Sequence, residues 1–315
     1  MMWVLARAIA SLVLTLIMAS VVIFVAMQVL PGDPAEVMLG THVHPDTLAA
    51  LRAQMGLDQP LMARYGAWVS GFFTGDLGIS HTYAVPVSEL VQERLMVSLP
   101  LALIALILTF LIALPLSIST VARRGGVIEG SVWLVTQIGI AVPNFWFAMV
   151  LVLVFAVTWR LLPSGGFPGW GSGFMPALAA LLLPAIALAV PQGAILTQVM
   201  RSALIDTLHQ DFIRTARAKG LTRTATLWRH ALRHAFTPVL TVLGLQFSFL
   251  LAGTIIIENV FFLPGLGRLI FQAINQRDLV VVQSVAMLLV ASVVIVNFLI
   301  NLTYALIDPR LRRLT

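Results

Sequence analysis

The sequence predicts an all-α integral membrane protein of six spans, with one extracytoplasmic insertion after the first. Three observations carry that prediction. Hydrophobic residues make up 59% of the 315-residue chain and charged residues only 10%, where soluble domains carry about a quarter charged residues. Apolar runs long enough to cross a bilayer recur along the whole length, and the mean hydropathy is +0.98. The basic residues gather in alternate connections between those runs. Cys is absent, which removes disulfides, thiolate metal sites and a cysteine nucleophile.

The spans fall at roughly 9–30, 98–120, 132–158, 176–199, 234–257 and 281–307. The first, preceded only by Arg7, opens like a signal peptide. Its apolar run of about 20 residues is too long for one, and no small-x-small cleavage site precedes Leu30-Pro31-Gly32-Asp33-Pro34, so it reads as an uncleaved anchor. Residues 31–97 form the insertion, which begins with the Pro31–Pro34 turn. Amphipathic helical pieces at 46–55 and 61–73 are separated by Gly56, Pro60 and Gly75. Tyr65, Trp68, Phe72 and Phe73 place this segment against the membrane surface or the other helices rather than in solvent. Pro100, Pro115, Pro143, Pro184 and Pro191 fall within later spans. Such kinks fit a bundle bending around a pathway, although membrane helices of many functions share them.

The charges orient the spans. Arg7, Arg123, Arg124, Arg201, Arg214, Arg217, Lys219, Arg223, Arg229, Arg233, Arg310, Arg312 and Arg313 share one side with only Glu129, Asp206, Asp211 and Asp308. The other side holds the remaining six basic residues and nine acids. The positive-inside rule puts both termini and the 211–238 stretch in the cytoplasm. The net charge of +6 is thus topological, the expected surroundings are membrane lipid, and nucleic acid drops out as a partner.

No catalytic or energy-supplying set is visible. Lys219 is the only lysine and no GxxxxGK[ST] loop surrounds it. Gly265-Leu266-Gly267 follows no strand, and neither HExxH nor GxSxG occurs. His42, His44, His81, His209, His230 and His234 lie in loops or near span ends without metal-ligand spacing, and the His42/His44 pair reads as loop polarity. No cofactor, metal or enzymatic activity is expected. Ion-coupled carriers place carboxylates or His within the bilayer. Here the acid closest to mid-span is Glu258, at the outer end of the fifth span. Asn144, Gln192 and Gln246 are among the neutral polar residues inside spans. Each reads first as a helix–helix hydrogen-bonding group and second as pathway lining. With Glu258 they form the candidate pathway set. The alternative reading, a self-sufficient secondary transporter or channel, lacks its ion site, so the driving force must come in trans.

One polar stretch stands out, DFIRTARAKGLTRTATLWRHALRHAFTP from Asp211 to Pro238. Its start predicts a short bounded helix. Asp211 is the expected N-cap, Lys219 complements the helix dipole at the far end, and Gly220 supplies the left-handed stop. Leu221 would then fold back on Ala216. Phe212, Ile213 and Ala216 share an apolar sector, with Arg214 and Arg217 on another. A helix this short does not hold alone in water, so it needs something to dock against.

The order of motifs resembles the permease subunit of the bacterial dipeptide/oligopeptide class of ATP-binding cassette importers, over nearly the whole chain. LPGDPA closes the first span, GLDQP and GDLGIS lie in the insertion, and RTARAKGL precedes RHALRHAFTPVLTVLGLQ. LLAGTIIIENVFFLPGLGRL, RDLVVVQ and a terminal DPRLR follow. The importer-permease motif has the generic form E-A-A-x-x-x-G. Here Arg214-Thr215-Ala216 replaces Glu-Ala-Ala, Ala216 and Gly220 match, and the usual Leu-Pro is displaced to Pro238. These departures are those of the peptide class. The resemblance implies a six-helix type I importer permease fold in a single domain over 1–315, in the bacterial inner membrane. It implies that Asp211, Phe212, Ile213, Arg214, Ala216, Arg217, Lys219 and Gly220 belong to a coupling helix that docks on a cytoplasmic ATPase. It further implies a second related permease, two ATPase subunits or domains, and an extracytoplasmic solute-binding protein. The solute would be a di- or oligopeptide, glutathione, nickel or a related solute.

Overall fold

The computed structural model describes residues 2–29, 35–36 and 44–307. The Pro31–Pro34 turn, His42 and the terminal DPRLR stretch lie outside the described residues. Among the described residues there is no strand, only an isolated bridge between Ile79 and Pro86. Among the described residues four helices are long and apolar enough to cross a membrane, and the number is six when each of two bent pairs is counted as one span. The chain divides into two compact units, 1–98 with 264–315 and 99–263.

In the first unit, α1 (Met2–Val29) packs along α12 (Leu279–Ile307). The two amphipathic pieces of the insertion form α2 (Pro45–Gln54) and α3 (Leu61–Thr74). The aromatic side chains of α3 find their place against α1. Tyr65 meets Phe24 edge-on at 5.3 Å and Trp68 stacks on Phe24 at 6.1 Å. The Tyr65 hydroxyl lies 2.8 Å from Ser20 Oγ, so the ring's polar tip is satisfied while its face stays apolar. Phe73, also expected to pack, is exposed. The start of α4 (Val87–Ala122) joins α11 (Leu266–Asn275) and α12 in a core that includes Val87, Leu90, Leu269 and Val285.

The second unit is built on α7 (Phe174–Leu208), whose neighbours are α5 (Val127–Ala141), α6 (Asn144–Leu151) and α10 (Leu232–Val260). At about 1.5 Å per residue, the 36 residues of α4 and the 35 of α7 outrun a hydrocarbon core of about 30 Å. Pro100, Pro115, Pro184 and Pro191 remain inside continuous helices. Pro143 does not. The residue before a proline is pushed out of the α region, so Val142 and Pro143 both adopt extended dihedrals and the third span turns by 103° between α5 and α6. The span ends in a π-helical turn, Val152–Thr158. α8 (Asp211–Ala218), α9 (Arg223–Thr226) and a π turn (Leu227–Ala231) then lead into α10.

Candidate functional site

The expected docking helix forms, as α8. Its C-terminal stop is built as the sequence implies. Gly220 has φ +90°, Leu221 N–H donates to Ala216 O at 3.3 Å, and Gly220 N–H donates to Arg217 O at 3.0 Å. Those are the two bonds of a Schellman motif, with Lys219 as the C-cap. The start differs. Gln210 occupies the N-cap position and no side chain caps the helix. Asp211 is the first helical residue, where its charge still faces the positive end of the dipole. Its carboxylate reaches Arg214 at 3.4 Å in an exposed pair, too open to add much stability.

The apolar sector of α8 is divided. Ile213 and Ala216 are buried, and Ile213 belongs to the chain's own core with Leu204, Leu227 and Ala231. Ile213 fastens the helix to the membrane helices behind it. Phe212 remains 37% exposed, its ring tilted over His234 at 4.7 Å. Arg214, Arg217 and Lys219 are exposed. Thr222 then caps α9, its hydroxyl accepting from Ala225 N–H at 3.2 Å. One side of α8 is thus anchored inward, and the other presents an aromatic ring and positive charge.

Of the pathway candidates, the structure joins Gln192 and Gln246. The Gln246 amide donates to Gln192 O at 2.8 Å, tying α10 to α7 one residue beyond Pro191. Gln246 is buried and its Oε1 has no partner. Asn144 is half-buried at the start of α6, on the 103° bend. Glu258 is fully buried near the end of α10.

Two polar arrangements went unassigned from sequence. Asp278, in the RDLVVVQ motif, is buried and accepts three hydrogen bonds, from Ser80 Oγ at 2.6 Å, Thr82 N–H at 3.0 Å and Val281 N–H at 3.3 Å. The GDLGIS motif supplies Ser80. Its Gly78 has φ +85°, and a Cβ there would come within 2.8 Å of Val280. The two motifs therefore belong to one clasp. Burial holds His81 beside it below the ordinary imidazole range, opposed by the Asp278 charge. In the second unit, Glu129 on α5 pairs with Arg201 on α7. Ser80 and Asp278 lie 198 positions apart, and only the two quoted motifs pointed to them. Among the described residues no group of His, Cys, Asp or Glu could hold a metal ion.

Comparison with known proteins places this geometry. Residues 113–313 match the family described as binding-protein-dependent transport system inner membrane component, and residues 1–102 match its N-terminal companion. A peptide transport system permease protein of Brucella abortus is 37% identical over 306 residues, covering 97% of this chain and 98% of the relative. The dipeptide transport system permease protein DppB of Escherichia coli is 34% identical, with 97% of each chain covered. The inward-facing MetNI methionine ABC transporter shares the fold, with a TM-score of 0.55 at 17% identity over 70% of this chain and 96% of that one. The chain therefore belongs to the family of binding-protein-dependent transport system inner membrane components, the permease subunits of ABC importers.

Proposed function

We propose that this permease imports di- or oligopeptides or related solutes, forms half of the translocation pathway with a second related permease, and contains no ATPase of its own. Two separate ATPase subunits or domains hydrolyse ATP, and an extracytoplasmic solute-binding protein delivers the solute. Both termini and α8 face the cytoplasm, in keeping with the positive-inside distribution. The whole chain acts as one permease domain. The observation that carries this reading is α8, anchored inward by Ile213 while Phe212, Arg214 and Lys219 face outward. A movement imposed on the outer side reaches α7 and α10 through packed side chains. The solute class rests on the relatives named for peptide transport, two of which match over nearly their whole length. Asn144, Gln192, Gln246 and Glu258 are the proposed pathway set, with the Gln246–Gln192 bond setting how α7 and α10 meet.

Purification tests the division of labour. The isolated chain should hydrolyse no ATP, and activity should return only with co-purified ATPase subunits. Hydrolysis by the contaminant-free chain would overturn the reading. With no native Cys, single-cysteine variants test the orientation. Thr82→Cys should react with an impermeant maleimide in intact cells and Thr224→Cys only after permeabilisation. The reverse pattern would invert the topology.

A further inference from the structure

A cavity of about 380 Å³ lies beside α8, in the second unit. Arg124, Arg217, Arg223 and His209 line it, and no described carboxylate does. Glu129, which Arg124 feels electrostatically, is already engaged by Arg201 and by Gly125 N–H. Among the described residues Arg223 makes a long 3.4 Å bond to Val121 O. The rest of the lining is largely apolar, with Val121 from the end of α4 and Ile205 and Leu208 from the end of α7. Both helices are longer than the hydrocarbon core is thick.

We propose that this cavity binds a phosphate group, supplied by an anionic phospholipid of the cytoplasmic leaflet. Guanidinium groups suit phosphate because their planar donors meet its oxygens in pairs. Basic pockets between membrane helices on the cytoplasmic side are suited to lipid headgroups. The apolar wall decides between candidate ligands. A glycerol and the top of an acyl chain can cover the partly exposed Ile205 and Leu208, whereas a lone protein carboxylate would leave them bare. The positive-inside rule accounts for basic residues on this side, but it does not account for their convergence on one concave, acid-free cavity. Through Arg217 and Ile213 the bound lipid would brace α8 against the ends of α4 and α7. The lipid's leaflet rests on the orientation proposed above; the cavity's chemistry does not.

The test uses the assembled transporter in nanodiscs of phosphatidylcholine alone or mixed with phosphatidylglycerol. Native mass spectrometry reads retained lipid, and ATPase co-purification reads assembly. Wild type should retain phosphatidylglycerol selectively. Arg124→Gln with Arg223→Gln should weaken that retention about thirtyfold, taking about 1 kcal/mol per basic residue and 1.4 kcal/mol per tenfold, with the ATPase still bound. If the double variant does not assemble, Arg124→Gln alone, in an exposed turn, should lose about fivefold on the same scale. Displacement of the lipid by millimolar inorganic phosphate would assign the site to a free phosphate instead. Unchanged lipid retention with loss of the ATPase would make the cluster a protein contact and overturn the proposal. Equal retention of both lipids by wild type, with no phosphate binding, would overturn it as well.

Discussion

The clasp around Asp278 and the helix α8 are both polar interruptions in an apolar chain, and they resolve their polarity in opposite ways. At the clasp every named group is spent internally. Asp278 is buried, takes three hydrogen bonds and caps the turn into α12. On α8 the charges remain outside, Asp211 and Arg214 meet in an exposed pair, and Phe212 is exposed. A buried polar group costs stability unless its partners are complete, so the clasp reads as architecture. Exposed cations and an aromatic ring on a short helix read as a surface awaiting a partner.

The contrast breaks most visibly at the clasp. Asp278→Ala strands Ser80 and two backbone N–H groups, each costing about 1–3 kcal/mol when buried. We expect a loss on the order of 4 kcal/mol in the thermal stability of the purified protein, and a smaller one for Asp278→Asn. A wild-type melting curve for Asp278→Ala would show that the clasp holds nothing.

Phe212→Ala should behave differently. The ring contributes little to the free chain, but its burial in a partner's groove would be worth about 3 kcal/mol. ATPase retention should fall about a hundredfold while the melting point of the isolated chain stays near wild type. A large drop in that melting point would make Phe212 a core residue and blur the comparison.

Gly220→Val sharpens it. A Cβ at Gly220 meets nothing within 4 Å, so the substitution strains only the backbone, by about 1–3 kcal/mol. The ATPase should stay bound while hydrolysis proceeds without uptake. Gly220→Asn, which tolerates a left-handed conformation, should restore coupling. Equal defects in both variants would point to lost contacts rather than to a misaimed helix.

The smallest effect is expected at Gln246→Leu. Removing its bond to Gln192 O should cost about 1 kcal/mol, and the orphaned Oε1 disappears with it. Reduced uptake by a fully assembled complex would assign Gln246 to the pathway. Normal uptake would leave it as a helix-packing residue.

Much of this was legible beforehand because it is local. Apolar run length pointed to the spans and a single glycine to the end of α8, while the aromatic residues of 61–73 pointed to the membrane surface or the other helices without naming α1, on which Tyr65 and Trp68 pack. The start of α8 was misread because Asp is a good N-cap by type, yet the chain turns helical one residue earlier and leaves Gln210 at the cap. Phe212, Ile213 and Ala216 share a sector by periodicity, but periodicity does not say where that sector's edge meets solvent. The sharp turn at Pro143 was expected only as a kink, since one proline is compatible with either. The Asp278–Ser80 bond joins positions with no common period, and α11, a short amphipathic helix between two spans, was hidden among turn residues.

The central claim is that the outer side of α8 meets a separate ATPase. A photo-crosslinking residue at position 212 in the assembled transporter tests it directly. We expect light-dependent capture of a single partner polypeptide that hydrolyses ATP, in a yield that falls when Gly220→Val is added. Capture of lipid alone from position 212, with uptake persisting after the ATPase is removed, would contradict the account.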